Sequence, residues 1–330
     1  MTLPAADQTD TGLALWTETE LGGPVTLAPL AGDGGSRRYY RVQGAGLAVL
    51  YGPDQAENRA WFHIGRHLAA KGLPLPKITG ADLETGFFLL DDLGDRHLAD
   101  GGAGRTAYFE AVRILARLHQ TGADGFDPAW CHQTQVYDRE MVEKQEIGYF
   151  IRSLLQGYLK WPEPSAELLA EARSLAGEAA APGGQVLIHR DYQGRNLMLT
   201  KGRVFFIDWQ GARLGPAAYD LAALLQETPE GPLSDDFKEE LIEHYFQSRP
   251  SGPWRETFRR ELLVTGTARL MQALGAFAKL ALSGKAKFHD YIEPALKILV
   301  HNFGRPPLAA AYPLLRKAAE QAWGQAADGV

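Results

Sequence analysis

The amino-acid sequence predicts an α+β chain, with a small β-rich lobe over residues 1–93 and a larger, mainly helical lobe over residues 94–330. Three observations carry that expectation. Up to about residue 90 the chain breaks into short apolar or aromatic runs separated by glycine-rich links, the pattern of an antiparallel meander. Beyond residue 100 apolar positions recur at helical spacing. A β-like insert then interrupts the helical part between residues 186 and 207.

Taken in order, residues 25–30, 36–42 and 47–51 are expected as strands, divided by Gly32-Asp33-Gly34-Gly35 and Gly44-Ala45-Gly46. A helix over residues 55–70 follows, because Trp61, Ile64 and Leu68 share one face and Gly72 and Pro74 stop the run. Two strands flank the turn Glu84-Thr85-Gly86, and the second, Phe87-Phe88-Leu89-Leu90, enters the polar link Asp91-Asp92-Leu93-Gly94-Asp95. Residues 108–119 and 140–155 read as helices, the first with Ile114, Leu115 and Leu118 in one stripe. The insert comprises residues 186–189, 197–199 and 204–207, with Lys201-Gly202 as a turn. The remainder is mostly helical: Phe237, Leu241, Ile242 and Tyr245 form one face, and residues 262–282 form a long apolar helix.

Composition narrows the function classes. A formal charge of −6 argues against a nucleic-acid partner, which calls for a clustered basic excess. The single cysteine, Cys131, excludes an internal disulfide and a cysteine metal cluster, and its neighbour His132 lacks further ligands at metal-binding spacing. The first ten residues lack the basic-then-apolar order of a secretory leader, and Lys279 interrupts the most apolar segment. The expectation is a cytoplasmic protein with no membrane partner, a monomer or a weak homodimer.

The chemistry lies in His189-Arg190-Asp191-Tyr192-Gln193-Gly194-Arg195-Asn196, followed by Phe205-Phe206-Ile207-Asp208-Trp209. Phosphoryl transfer from ATP needs an acceptor-orienting carboxylate and oxygen ligands for magnesium, since positioning and charge neutralisation do most of the catalysis. Asp191 can accept a hydroxyl proton, while Asn196 and Asp208 return two hard oxygens to the same place. One carboxylate, one amide oxygen and nucleotide phosphates make a sensible Mg2+ shell. A loop residue can equally serve only its own backbone, but here apolar strands bracket both motifs and put all the oxygens at strand ends. For His189 the expected role is structural, holding the loop by hydrogen bonds.

These residues, with Leu115-Ala116-Arg117-Leu118-His119 and Gly215-Pro216 before Tyr219-Asp220-Leu221-Ala222, resemble the aminoglycoside phosphotransferase and choline kinase group of protein-kinase-like enzymes over roughly residues 25 to 300. The resemblance implies a kinase-like two-lobed fold, Asp191 as catalytic base, Asn196 and Asp208 as Mg2+ ligands, and Asp220 as a structural support of the catalytic loop. It also implies a hinge at Asp91, Asp92 and Leu93 whose backbone meets adenine. A finer similarity, to the anomeric kinases of N-acetylmuramate and N-acetylglucosamine in cell-wall recycling, rests on three features. They are Ser36-Arg37-Arg38-Tyr39-Tyr40-Arg41, the motif with Arg195-Asn196-Leu197-Met198, and the late helix Gln272-Ala273-Leu274-Gly275 leading to Gly284-Lys285. The acceptor so implied is a small amino sugar; an aminoglycoside, choline or homoserine, or a non-catalytic nucleotide-binding module, are the alternatives.

The third strand departs from the kinase plan, because residues 47–51 contain no lysine to pair with ATP phosphates. The anomeric sugar kinases resemble the chain in that absence too. Backbone N–H groups of the loop with Gly34, Gly35 and Ser36, and the side chains of Arg37, Arg38 and Arg41, are the candidates to replace it; the arginines can also be read as a solvated strand face. Glu57, without a strand lysine, is expected as a solvated helical residue. Glu143 and Glu146, three apart on a helix, together with Arg195, are the candidates to meet acceptor hydroxyls, although such acids also form plain exposed faces. Trp209 reads either as a stacking surface or, preferably, as core.

Overall fold

Alternation of side chains along the strands decides how the N-terminal elements assemble. The computed structural model describes residues 5–30, 37–100, 102–180, 185–226, 233–249 and 254–328. In chain order the elements begin with α1 (Ala5–Leu21), β1 (Leu27–Leu30), β2 (Arg38–Val42), β3 (Leu47–Tyr51), α2 (Gln55–Ala70), β4 (Ile78–Asp82), β5 (Phe87–Asp91) and α3 (Gly104–Thr121). Then come α4 (Arg139–Met141), the π-helical stretches Val142–Ile147 and Phe150–Tyr158, α5 (Ala166–Ala179), β6 (Gln185–Ile188), β7 (Leu197–Thr200), β8 (Arg203–Phe206) and β9 (Arg213–Pro216). The chain ends in α6 (Ala218–Gln226), α7 (Asp235–Ser248), α8 (Trp254–Leu282), α9 (Ile292–Gly304), α10 (Leu308–Ala311) and α11 (Pro313–Ala327). They form two compact units, residues 1–135, 189–212 and 227–248 in the first and residues 136–188, 213–226 and 249–330 in the second.

The first unit holds an antiparallel five-stranded sheet in the order β1-β2-β3-β5-β4. Tyr40 lies opposite Val49, and Val49 opposite Leu89, so these side chains fall on one face, with Val42 and Phe87. Leu13 and Trp16 of α1 cover that face. Leu50, Phe88 and Leu90 take the other face, where Trp61 of α2 meets Phe88 at 4.9 Å between ring centroids. Both faces of β5 are covered, which explains its unbroken apolar run. In α2 the predicted stripe Trp61, Ile64 and Leu68 is buried, Asp54 caps the N-terminus through the Glu57 N–H, and Gly72 ends the helix at φ +67°.

Three elements differ from the sequence expectation. Among the described residues of α1 the large apolar side chains packed on the sheet are Leu13 and Trp16, while Leu15 is 59% exposed, so no apolar repeat announces the helix. The insert is not one β-unit: β7 and β8 form a hairpin in the first unit, whereas β6 pairs with β9 in the second. Strand β9 reads Arg-Leu-Gly-Pro, and glycine and proline suppress any strand signal. The helix expected over residues 140–155 is largely π-helical. In that second unit Gly275 of α8 has no Cβ where one would meet the Tyr149 and Phe150 backbone at 2.9 to 3.0 Å, which lets the two helices touch.

Candidate active site

The β7–β8 hairpin builds the site from its open end. Leu197 pairs with Phe206, and the Ile207 N–H donates to the Asn196 carbonyl at 3.0 Å, which sets Asn196 one residue away from Asp208 across the ladder. The chain reaches Asn196 through a tight loop in which the Gln193 N–H bonds to the Asp191 carbonyl at 2.9 Å. Asn196 Nδ2 donates to the same carbonyl at 2.8 Å, which leaves its Oδ1 to turn elsewhere. Tyr192 pins the loop to α3 by donating to the Ala111 carbonyl at 2.8 Å.

His189 is buried between these pieces. Its Nε2 bonds to the Ile207 carbonyl at 3.0 Å and its Nδ1 accepts the Asp191 N–H at 3.3 Å, an arrangement that assigns the proton to Nε2. One imidazole therefore ties Asp191 to the residue preceding Asp208. Two neighbouring residues are left-handed without being glycine, Arg190 at φ 78° and Asp208 at φ 69°. Each such conformation costs about 1–2 kcal/mol, and persists where surrounding bonds impose it. Arg190 is anchored to Gln133 at 2.9 Å.

Against this bonding, the carboxylate of Asp191 stands apart. Among the described residues none hydrogen-bonds or ion-pairs with it, although the residue is only partly exposed. The backbone of Gly211 flanks it: a Cβ there would lie 3.6 Å from Asp191 Oδ2. Asp208 Oδ1 accepts from Gln210 Nε2 at 2.9 Å and faces Arg37 Nη1 at 3.5 Å. Arg37 also lies 3.2 Å from Glu57, so one guanidinium joins the first turn of α2 to Asp208. Tyr39 shares that environment; burial pushes its phenol up to about 12, against the opposing charge of Arg37.

Strand alternation thus separates Arg38 from Arg37 and Arg41, and ion pairing separates the latter two. Arg37 faces α2 and the site. Arg38 points to the α1 side, where it meets Asp10 at 2.8 Å and lies over the Tyr51 ring, so the expectation that it reaches phosphates is corrected. Arg41 is engaged by Asp92 and Asp95, through which it braces the link after β5. Glu57 is not a free helical acid but the partner of Arg37. Trp209 is core: fully buried, it stacks on Trp61 at 4.8 Å and donates to the Trp61 carbonyl at 2.7 Å.

The remaining candidates are dispersed. Gly34, Gly35 and Ser36 lie outside the described residues. In the link after β5, Asp91 accepts from the Lys77 N–H at 3.1 Å and the Leu93 carbonyl accepts from Thr200. Arg195 is exposed and bonds to Gln193 at 3.0 Å. Asp220 is fully buried in α6, and Glu143 and Glu146 lie on the first π-helical stretch, all in the second unit. Glu146 offers no surface to a sugar, because it is fully buried and accepts from Tyr137 at 2.7 Å and Tyr219 at 3.2 Å. The sequence reading missed Tyr39, Gln210 and Gly211; alternation from Arg37 would have flagged Tyr39, but nothing local marks the other two.

A loop holding an unengaged carboxylate, joined by one hairpin to an amide and a second carboxylate in the unit that also holds a five-stranded antiparallel sheet, is the arrangement expected of a kinase-like phosphotransferase. The model of the phosphotransferase enzyme family APH matches residues 26–262, and the chain belongs to that family. It is a phosphotransferase with an alcohol group as acceptor. The N-acetylmuramate/N-acetylglucosamine kinase of Pseudomonas aeruginosa is 29% identical over 313 residues, 88% of this chain and 88% of that protein. The enzyme of the same name from Neisseria meningitidis is 28% identical over 302 residues, covering 86% and 88%. Among solved structures, a choline/ethanolamine kinase family protein from Mesorhizobium loti superimposes with a TM-score of 0.63 at 17% identity, over 94% of this chain and 99% of that one. A ternary complex of streptomycin, ATP and APH(2")-IIa gives 0.59 at 13% identity, over 87% and 97%. These neighbours share the α+β protein-kinase-like fold. Among the described residues no helix is long and apolar enough to cross a membrane.

Proposed function

We propose that this phosphotransferase is an ATP- and Mg2+-dependent kinase that phosphorylates an amino sugar, N-acetylmuramate or N-acetylglucosamine, at its anomeric hydroxyl. The observation that carries the kinase reading is the carboxylate of Asp191, left without a partner among the described residues in a loop braced through His189 and Asn196. It takes the proton of the acceptor hydroxyl as that oxygen attacks the γ-phosphorus, and ADP departs. His189, occupied at both ring nitrogens by the backbone, holds the loop and moves no proton.

The donor set fits magnesium. Asn196 Oδ1 and the Asp208 carboxylate are hard oxygens at one end of a hairpin, and among the described residues no group of three or more His, Cys, Asp or Glu could bind a metal without help. Phosphate oxygens would complete the shell. When bound, the ion neutralises charge that develops on the transferred phosphoryl group. Residues 1–93 would carry the nucleotide, with the backbone after β5 toward adenine, and the acceptor would be held by the remainder.

The sugar assignment is supported by the names of the relatives. A polycationic aminoglycoside calls for dense acid, whereas Glu239, Glu240 and Glu243 lie on the exposed side of α7, with Glu240 paired to Arg105. An ADP-coupled screen over amino sugars, aminoglycosides and amino alcohols tests the acceptor. Turnover confined to amino sugars is the expected result, and turnover with aminoglycosides or choline alone would overturn it. Asp191→Asn is expected to lower kcat roughly 10²- to 10⁴-fold with ATP affinity nearly unchanged; an undiminished kcat would remove Asp191 as the base.

A further inference from the structure

The missing strand lysine leaves a question that the arginines answer. We propose that Arg37, immediately before β2, supplies the phosphate-binding cation that β3 lacks, with Glu57 as its tether and Asp208 as its neighbour. The assignment rests on the kinase reading above and deepens it.

Position comes first. Arg38 is paired with Tyr51 in the sheet register, so Arg37 stands just past the end of β3, at the entry to the neighbouring strand. Tyr51 itself is turned to the α1 face, where its ring packs on Phe87, and is not available to the site. Alternation puts Arg37 on the opposite face, toward α2. There it finds a carboxylate in the first turn of the helix at 3.2 Å and the Asp208 carboxylate at 3.5 Å. In protein kinases a strand lysine pairs with a helix glutamate while a nearby aspartate holds the metal. The same three charges are present here, with an arginine from the adjacent strand as the cation.

Unmet hydrogen-bonding capacity comes second. The Arg37 side chain is only 7% exposed, yet its Nε and Nη2 lack an aligned acceptor among the described residues, with the Tyr39 hydroxyl and the Glu57 carboxylate as the polar neighbours against the guanidinium. Glu57 neutralises the charge without hydrogen-bond alignment, and Asp208 takes Nη1 at a long 3.5 Å. Buried donors of this kind are rare in native proteins because leaving them unbonded is unfavourable. An anion with several acceptor oxygens removes the deficit, and a planar guanidinium offers two parallel donors to a phosphate. The neighbouring carboxylates exclude the alternative that the site attracts anions in general: with one cation against two acids it carries a net negative charge. A phosphate here needs a metal beside Asp208 as well, which ties the arginine to a metal–nucleotide complex.

The experiment uses the full chain and calorimetric titration with Mg-ATP, Mg-ADP and adenosine. Arg37→Gln is expected to weaken Mg-ATP binding roughly 10- to 100-fold and to leave adenosine binding as in the wild type, with KM for ATP rising accordingly. Arg37→Lys, which keeps the charge but not the fork, should recover part of the loss. Glu57→Gln should weaken Mg-ATP binding by a smaller factor, again sparing adenosine. Wild-type Mg-ATP affinity in Arg37→Gln overturns the assignment, and so does an equal loss for adenosine, which would mark a structural role. If Arg37→Gln does not fold, Glu57→Gln decides, because unchanged Mg-ATP affinity there is incompatible with the tether. A wild-type protein that binds no ATP would instead overturn the kinase reading itself.

Discussion

Gly65 offers the sharpest link between packing and site. It lies within α2, where replacing glycine by alanine normally stabilises a helix by about 1 kcal/mol. A Cβ at this position would lie 2.8 Å from two ring atoms of Trp209 and 2.9 Å from a third. The indole has nowhere to retreat, since it is fully buried, stacked on Trp61 and bonded through Nε1 to the Trp61 carbonyl. Overpacking of this kind costs about 1–3 kcal/mol, and the fixed neighbour places Gly65→Ala toward the upper end. Subtracting the helical gain leaves a net destabilisation of about 1–2 kcal/mol. Gly324 of α11 is the control, exposed and with open space within 4 Å of where a Cβ would stand, so Gly324→Ala should be neutral or slightly stabilising. Urea unfolding of the two variants gives opposite signs if the packing argument holds. Because Trp209 follows Asp208, Gly65→Ala should also weaken Mg-ATP binding while Gly324→Ala does not. A Gly65→Ala protein as stable as Gly324→Ala would refute the reasoning.

Two further outcomes follow from buried or paired charges. Tyr137→Phe removes the 2.7 Å donor to the buried Glu146 carboxylate and should cost about 1.5–3 kcal/mol by urea titration; a change below the error of the fit would show the carboxylate satisfied without it. The Arg41 hydrogen bond holds the Asp92 carboxyl below the usual carboxylate range. Its stabilisation is therefore complete above about pH 4, the unfolded value, and is lost as pH falls through the lower folded value. Arg41→Gln should be less stable than wild type by about 1 kcal/mol or less at pH 7, since the pair is partly exposed. That gap should close on acidification below about pH 4, and a gap constant across the titration would contradict it.

Much of the fold was legible because its signals are local. The helix over residues 55–70 was bounded by its apolar spacing and by Gly72 and Pro74, and the structure closes it at the same residues. The short apolar runs became β1 to β8. What stayed hidden has a non-local cause. Helix α1 is stabilised by the sheet face it covers rather than by its own pattern. Strand β9 exists because β6 supplies its hydrogen bonds, in spite of a glycine and a proline. Glu146, spaced like one member of an exposed acidic pair, is buried because Tyr137 and the sequence-remote Tyr219 satisfy its oxygens.

At the site the division is the same. The candidate residues were marked by sequence alone, because Asn196 and Asp208 stand at the two ends of a short hairpin that brings them together, with Asp191 in the loop before it. The sequence also determined that a lysine was absent from the third strand. Packing selects which arginine stands near its place. Arg37, Arg38 and Arg41 are alike in composition and close in sequence, but alternation sends Arg38 to Asp10 on the far face, and Asp92 and Asp95 claim Arg41. Glu57 and Asp208 meet Arg37 from positions 20 and 171 residues away, and an encounter of that kind is set by packing rather than by any pattern along the chain.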